Sequence, residues 1–508
     1  MNNRCIYSRD FIYKKYLLVI IWLFAVLFLW VPYIFPYFSF IDEQGLFASA
    51  VQIAKGKLLY KDVFESKGPA LISIYLFFIK LFPSNYTLAL HTVLLLLILF
   101  NSLLLYKILS KYGTDNFSLL AFLYPFLLAC FYPGNMIGSR EPFLTFLILF
   151  VFCLILYFPN NNFIILLSGF LSGTSILFKP FGIFFIFSFA FLIYYYSKKL
   201  SKCYLFLFAC SIIPLMFLSY LFKNNLWNDF LLWNFDYAVF ISRTIPFGKK
   251  VYHGLAMLGR ILLFNPVYII FGLPVIFNKS NFNENVPLII LSFSALLWAV
   301  LHGLPFPHYY IPLIPFLVLL SIKGFYLFYK KLGPIQNDIK KYLYFFIIFS
   351  IFQSLLHWNG IDFHKKWIEF LKEKKWKADY EIKKDYEMIK YLRENTDKTD
   401  KIVIWGLNPK IYLFSEREPG TRFISSVEPV NGFVYYAPSQ IKQFLPAEKL
   451  FLWDMEENNV KYFIDATNRS LLGMAYYTID KYPYINNYLL QHFHIIKEID
   501  GYKIWKRK

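Results

Sequence analysis

The sequence predicts a polytopic α-helical membrane protein of eleven spans, with interfacial helices beside the membrane and a small α/β domain at its C-terminal end. Three observations carry this. Hydrophobic residues make up 58% of the chain, Phe alone numbering 60, and charged residues only 17%, where a soluble domain holds about 25%. Apolar runs of spanning length recur as far as residue 357. Beyond Trp358 they stop, and Lys, Glu, Asp and Asn become frequent. The 508 residues thus divide into a membrane domain at 1–357, with an external loop at 38–85, and a soluble domain at 358–508.

The net charge is +20, from 52 Lys and Arg against 32 Asp and Glu. In a soluble protein that excess would suggest nucleic acid. Here the basic residues gather in loops beside apolar runs, as membrane topology and anionic headgroups favour, so no nucleic-acid partner is expected. The five cysteines are Cys5, Cys130, Cys153, Cys203 and Cys210. They show neither metal-ligand spacing nor a disulfide framework.

A bilayer core takes roughly 20 apolar residues as helix. By that measure spans fall at 16–37, 86–106, 117–133, 143–158, 163–178, 181–197, 203–222, 261–278, 286–302, 309–329 and 342–357. The first starts basic and lacks a small-residue cleavage pattern, so it reads as an uncleaved span. The run at 68–82 is short, flanked by lysines and followed by Pro83. It either spans or lies in the interface. Treating it as interfacial collects Lys14 and Lys15, Lys107 and Lys111, Lys198 and Lys199, and Lys330 and Lys331 on one side. The positive-inside rule makes that side the cytoplasm, with the N-terminus inside and the C-terminal domain outside. The same choice puts Asp42, Glu43, Asp62, Glu65, Lys67, Arg140, Glu141, Lys179, the loop 223–257, His302 and His308 together at the outer face.

In the C-terminal part, KIVIWG at 401–406 and VKYFID at 460–465 read as buried strands. Asp500-Gly501 makes a two-residue hairpin turn near the end. Asn408 followed by Pro409 reads as a helix start, and helices are expected near 379–394 and 447–458.

The stretch Phe38 to Tyr75 sets charge beside apolar segments, which is expensive unless the charge is wet, paired or used. An amphipathic interfacial helix is expected at 43–55, closed by Gly56. Asp42 at its entrance serves as an N-cap, or as a general base tuned by partial desolvation. Glu43 enters the helix and suits its dipole. Tyr60 to Pro69 brings Asp62, Glu65 and Lys67 ahead of a helix start. That suits a phosphate, or else makes a solvated charged loop.

Arg140-Glu141 is either a surface pair or a second acid that orients an acceptor or holds a cation. Lys179, between Phe178 and Pro180, snorkels or holds an anion. His308 and Tyr309 open a span. They belong to an interfacial aromatic belt, or His308 contacts phosphate, or it joins Glu65 or Glu141 around a metal, although the spacing carries no specific metal signature. No Gly-rich nucleotide loop or Walker pattern is present.

At these residues the chain resembles the GT-C glycosyltransferases of the protein O-mannosyltransferase and lipid A aminoarabinose transferase type. The matching pieces are FIDEQGLFASAVQIAKGKLLYKDVFESKGPALISIY from Phe40 to Tyr75, SREP from Ser139, FKP from Phe178 and HYYIPLIP from His308. The resemblance covers most of residues 10–330, and the C-terminal domain loosely. It implies Asp42 as the catalytic acid of the first external loop, Glu141 as a second carboxylate, and Lys67 as a contact to the donor phosphate. Some members read Phe-Glu-Lys-Pro where this chain has Phe64-Glu65-Ser66-Lys67-Gly68-Pro69, and the second acid is often Asp rather than Glu.

The implied activity is inverting transfer of a sugar from a polyprenyl-phosphate donor to a lipid, glycan or protein acceptor, at the outer face of a bacterial inner membrane. Asp42 takes the acceptor proton. Lys67, with Arg140, Lys179 and His308 as candidates beside it, stabilises the leaving phosphate. No cofactor is certain; a divalent cation is left open. A transporter or flippase of lipid-linked saccharide is the rival of another class, but it calls for charge on both faces and repeated halves, and no repeat is found. A polysaccharide polymerase or ligase is the nearer rival.

Overall fold

The computed structural model describes residues 9–34, 41–129, 138–278, 282–301, 306–331, 385–424, 428–432, 441, 443–469 and 476–508, with isolated positions at 345, 348, 349, 352 and 368. The expected span at 342–357 lies outside the described residues apart from four of those positions. His302, Cys5, Cys130 and residues 379–384 lie outside them as well.

The chain opens with α1 (Arg9–Ile34), α2 (Ile41–Ala54), α3 (Pro69–Leu81) and α4 (Tyr86–Lys111). A tight 3-10 stretch at Asp115–Leu123 leads into α5 (Tyr124–Ala129), followed by α6 (Arg140–Tyr157), α7 (Asn162–Phe178), α8 (Ile183–Ser197) and α9 (Leu200–Lys223). Then come α10 (Trp227–Leu231), a π-helical turn at Leu232–Asp236, α11 (Tyr237–Arg243), α12 (Phe247–Phe264), α13 (Leu273–Phe277), α14 (Phe282–Leu301) and α15 (Ile314–Lys331).

Among the described residues, five segments are long and apolar enough to cross a membrane: Tyr86–Lys111, Arg140–Tyr157, Pro180–Ser197, Leu200–Lys223 and Phe282–Leu301. Phe247–Phe264 and Tyr268–Phe277, bent by 100° at their break, make a sixth if counted as one. These helices mark an integral membrane protein. At the expected span 163–178 the apolar helix is shorter, Asn162–Phe178. At 309–329, α15 carries Lys323, Lys330 and Lys331 in its 18 residues. The ambiguous run at 68–82 forms α3, with 13 residues. At 1.5 Å per residue it reaches about 20 Å, short of a hydrocarbon core of about 30 Å.

Helices α7 and α9 pack closely because Gly169 and Gly173 face the backbone of α9. A Cβ on Gly169 would lie 2.5 Å from the Phe206 carbonyl oxygen. Small residues one turn apart allow such close approach between apolar helices.

The C-terminal part holds α16 (Tyr386–Asn395), β1 (Lys401–Trp405), α17 (Lys410–Ser415), β2 (Glu418–Pro419), α18 (Leu445–Glu457), β3 (Tyr462–Asp465), α19 (Pro483–His492), β4 (Phe493–Ile499) and β5 (Tyr502–Arg507). The strands form one sheet in the order β2-β1-β3-β5-β4. β1 runs parallel to β2 and β3, pairing Val403 with Phe463, and β5 lies between β3 and β4, antiparallel to both. Alternation along the strands divides their side chains between two cores. Val403, Trp405, Phe463 and Trp505 join the main core, and Ile402, Ile404, Ile464 and Ile504 join a second one with Met388 and Leu392.

The turn of the β4–β5 hairpin is Asp500-Gly501, both with positive φ, as a type I′ turn requires. The expected cap at Asn408 is not made. The helix starts one residue later, after Pro409 and without a side-chain cap, because the Asn408 amide donates to the Tyr502 hydroxyl at 2.7 Å instead.

Candidate active site

Helix α2 has Asp42 and Glu43 together in its first turn, where the helix dipole favours carboxylates. Asp42 therefore belongs to the turn itself rather than standing before it as the N-cap. Nor is α2 a surface-lying amphipathic helix. Leu46, Phe47 and Ala50 are buried in the main core, and Ala48 is buried in the second core with residues of the C-terminal sheet. One side of the helix meets the membrane bundle and the other meets the C-terminal unit, so apolar residues on both sides find partners.

The two adjacent acids have opposite surroundings. The Asp42 side chain is 59% exposed, and the Lys67 ammonium approaches it at 3.1 Å. Glu43 is 2% exposed, and its Oε1 meets Nε2 of His91 on α4 at 2.5 Å. His91 is the site-proximal residue that reading the sequence missed. Its signal was present, since a titratable residue inside an apolar run is a functional candidate with a partner to be found.

The loop between α2 and α3 is held by its own side chains. Asp62 accepts from the Leu58 N–H at 2.8 Å. Tyr60 is buried at a positive φ of 74°, with its ring 5.3 Å from that of Phe230. Asp62 thus closes a turn and Tyr60 packs into the core. Glu65, also buried, accepts from the Lys67 N–H at 3.0 Å, which fixes the backbone from which Lys67 reaches Asp42. The next residue, Gly68, crosses the end of α7. A Cβ there would run into the Leu177 carbonyl oxygen and lie 2.5 Å from that of Phe178. The close crossing brings Lys67 beside the segment that carries Lys179.

A second acidic segment is pinned to the same place. The Tyr75 hydroxyl of α3 donates to the Gly138 carbonyl at 2.7 Å, and a Cβ on Gly138 would lie 3.1 Å from Cδ of Glu43. Two residues on, the Arg140 Nε donates to buried Glu141 at 3.2 Å. Lys179 lies over the Tyr309 ring at 5.0 Å. The rings of His308 and Tyr309 are 4.2 Å apart, and Nδ1 of buried His308 has no hydrogen-bond partner among the described residues.

Asp42, Arg140, Glu141 and Lys179 all act electrostatically on His308. Burial pushes His308 down to about 4 against the pull of Glu141. Burial and Arg140 hold Lys179 well below the usual lysine range, with Glu141 opposing them. The structure thus brings together Asp42, Lys67, Arg140, Glu141, Lys179, His308 and Tyr309. Among the described residues, no three His, Cys, Asp or Glu groups form a metal-ligand set. An exposed carboxylate paired with a lysine suits proton transfer beside a bound anion.

No family model matches the chain, and no curated protein matches it. Solved structures do. ArnT from Cupriavidus metallidurans bound to undecaprenyl phosphate aligns with a TM-score of 0.58 at 11% identity, over 96% of this chain and 97% of that one. The same protein in the apo state gives 0.57 at 11% identity, over 97% and 98%. The oligosaccharyltransferase AglB from Archaeoglobus fulgidus, in complex with an inhibitory peptide and a dolichol-phosphate, gives 0.54 at 12% identity, over 98% of this chain and 75% of that one. At these identities the likeness is one of fold. The chain shares the fold of these two proteins.

Proposed function

We propose that the chain is an inverting glycosyltransferase that moves a sugar from a polyprenyl-phosphate donor to a lipid, glycan or protein acceptor at the outer face of the membrane. The observation that carries this reading is the convergence of the exposed Asp42–Lys67 pair with Arg140, Glu141, Lys179 and His308. Its support from likeness is that ArnT bound to undecaprenyl phosphate and AglB with dolichol-phosphate share the fold.

In this mechanism the donor phosphate competes for Lys67 and releases the Asp42 carboxylate. Asp42 then takes the proton of the acceptor hydroxyl or amine as that atom attacks the anomeric carbon. The bond from that carbon to the phosphate oxygen breaks, with inversion, and the leaving polyprenyl phosphate keeps the electron pair. Lys67, Arg140 and Lys179 stabilise the charge on it, with His308 beside them. Glu141 orients the acceptor, and holding the two reactants in line supplies much of the rate. The polyprenyl tail stays in lipid while the phosphosugar meets water. The corresponding topology has eleven spans, a cytoplasmic N-terminus and an external C-terminal unit.

The test is incubation of the purified protein with a panel of polyprenyl-phosphate sugars, followed by mass spectrometry of released polyprenyl phosphate and product. Release from at least one donor, with inversion at the anomeric carbon, is expected. Movement of intact lipid-linked saccharide across vesicles without release would overturn the reading.

A further inference from the structure

We infer that the C-terminal unit positions the loop that carries Lys67, with Trp233 and Arg422 as the positioning residues. This rests on the proposed role of Lys67 toward donor phosphate. Arg422 is buried, and its backbone N–H and guanidinium all bind buried Asp454 on α18, at 2.9, 2.9 and 2.8 Å. The carbonyl of the same residue accepts the Phe64 N–H at 2.8 Å. A strongly held residue of the C-terminal unit therefore holds the backbone three residues before Lys67.

From the membrane side, Trp233 in the π-helical turn donates its indole N–H to the Tyr60 carbonyl at 3.0 Å. Its ring contacts Phe64 at 4.9 Å and Phe423 at 5.7 Å, and Phe64 contacts Phe423 at 5.6 Å. The loop is thus gripped at both Tyr60 and Phe64. The positive φ of Tyr60 costs a non-glycine residue backbone energy, and such a conformation persists only where its surroundings impose it. The π turn turns Trp233 onto that carbonyl; π turns recur at functional sites. Val63, between the two grips, is buried among residues of the C-terminal sheet.

The experiment uses the full chain. Trp233→Phe keeps the ring contacts and removes the N–H to Tyr60. Asp454→Asn keeps the size and weakens the hold on Arg422. Donor KM and kcat are measured for each variant, for Lys67→Ala, and for the Trp233→Phe/Lys67→Ala double variant. Hydrogen exchange of segment 57–67 is followed in parallel.

The expected result is a rise in donor KM of about tenfold for the single variants, the scale of one buried hydrogen bond, with kcat much less changed and faster exchange at Phe64. The double variant should be no worse than Lys67→Ala alone, because residues acting as one unit are not additive. Additive losses, or exchange at 57–67 as slow as in the wild type, would overturn the inference. Should Lys67→Ala leave donor KM unchanged while Phe64 exchanges faster in Trp233→Phe, the proposed role of Lys67 fails and the grip on the loop stands.

Discussion

Asp42 and Glu43 are neighbours in sequence and opposites in environment, and that contrast assigns them different work. Exposed Asp42 can exchange a proton with an acceptor, while Glu43 is committed to His91 in the interior. General-base groups contribute about 10²–10⁴-fold, so Asp42→Asn should lower kcat on that scale. Removing one partner of a buried pair leaves an uncompensated group and costs about 3–5 kcal/mol. His91→Ala should therefore lower thermal stability far more than Asp42→Asn does; equal melting temperatures would contradict the buried pair.

Lys179 gives a pH prediction. Its pKa is held low by burial and Arg140, and phosphate favours the ammonium form. Donor binding should therefore draw a proton onto Lys179, and donor affinity should fall as pH rises through the lowered pKa. Calorimetry in buffers of different ionisation heat reads that uptake, and Lys179→Gln should abolish it. No uptake in the wild type would contradict the assignment.

At the scale of elements, the loop between α2 and α3 owes its course to a close crossing that the sequence hid. Gly68 reads in the sequence only as the residue before a helix-starting proline. Its necessity comes from the backbone carbonyls at the end of α7, which lie more than a hundred residues away. Gly68→Ala should push the loop off α7 and raise donor KM while the bundle keeps its melting temperature. An unchanged KM would show that the crossing does not set Lys67.

The motif residues from Asp42 to Tyr309 were legible because charge beside apolar runs is costly and so conspicuous. The burial of α2 on both sides was not, because its second cover comes from helix α17, more than three hundred residues further on. Asn408 misled for a similar reason: its amide found a tertiary partner in Tyr502 where local chemistry predicted a cap.

At the scale of the molecule, the strands at 401–405 and 462–465 and the Asp500-Gly501 hairpin could be read locally, from short apolar runs and a two-residue turn. Their order in the sheet, and the seat of segment 421–424 on the loop between α2 and α3, depend on contacts that no local pattern encodes. Spans are a middle case. Apolar length marks the membrane class, but the short helices, the 100° bend after α12 and the lysines of α15 escape a count made by length. The topology is open to labelling. In a chain freed of native cysteines, a cysteine replacing Ser66 should react with a membrane-impermeant maleimide in intact cells, and one replacing Lys111 should not. The reverse pattern would overturn the proposed orientation.

In the proposed mechanism Asp42 acts as the base beside a bound polyprenyl-phosphate sugar. The direct measurement compares wild type and Asp42→Asn for both donor binding and sugar release, with the same purified donor. The account predicts donor binding within a few-fold of wild type and sugar transfer reduced at least about a hundredfold. Transfer near the wild-type rate in Asp42→Asn would contradict it.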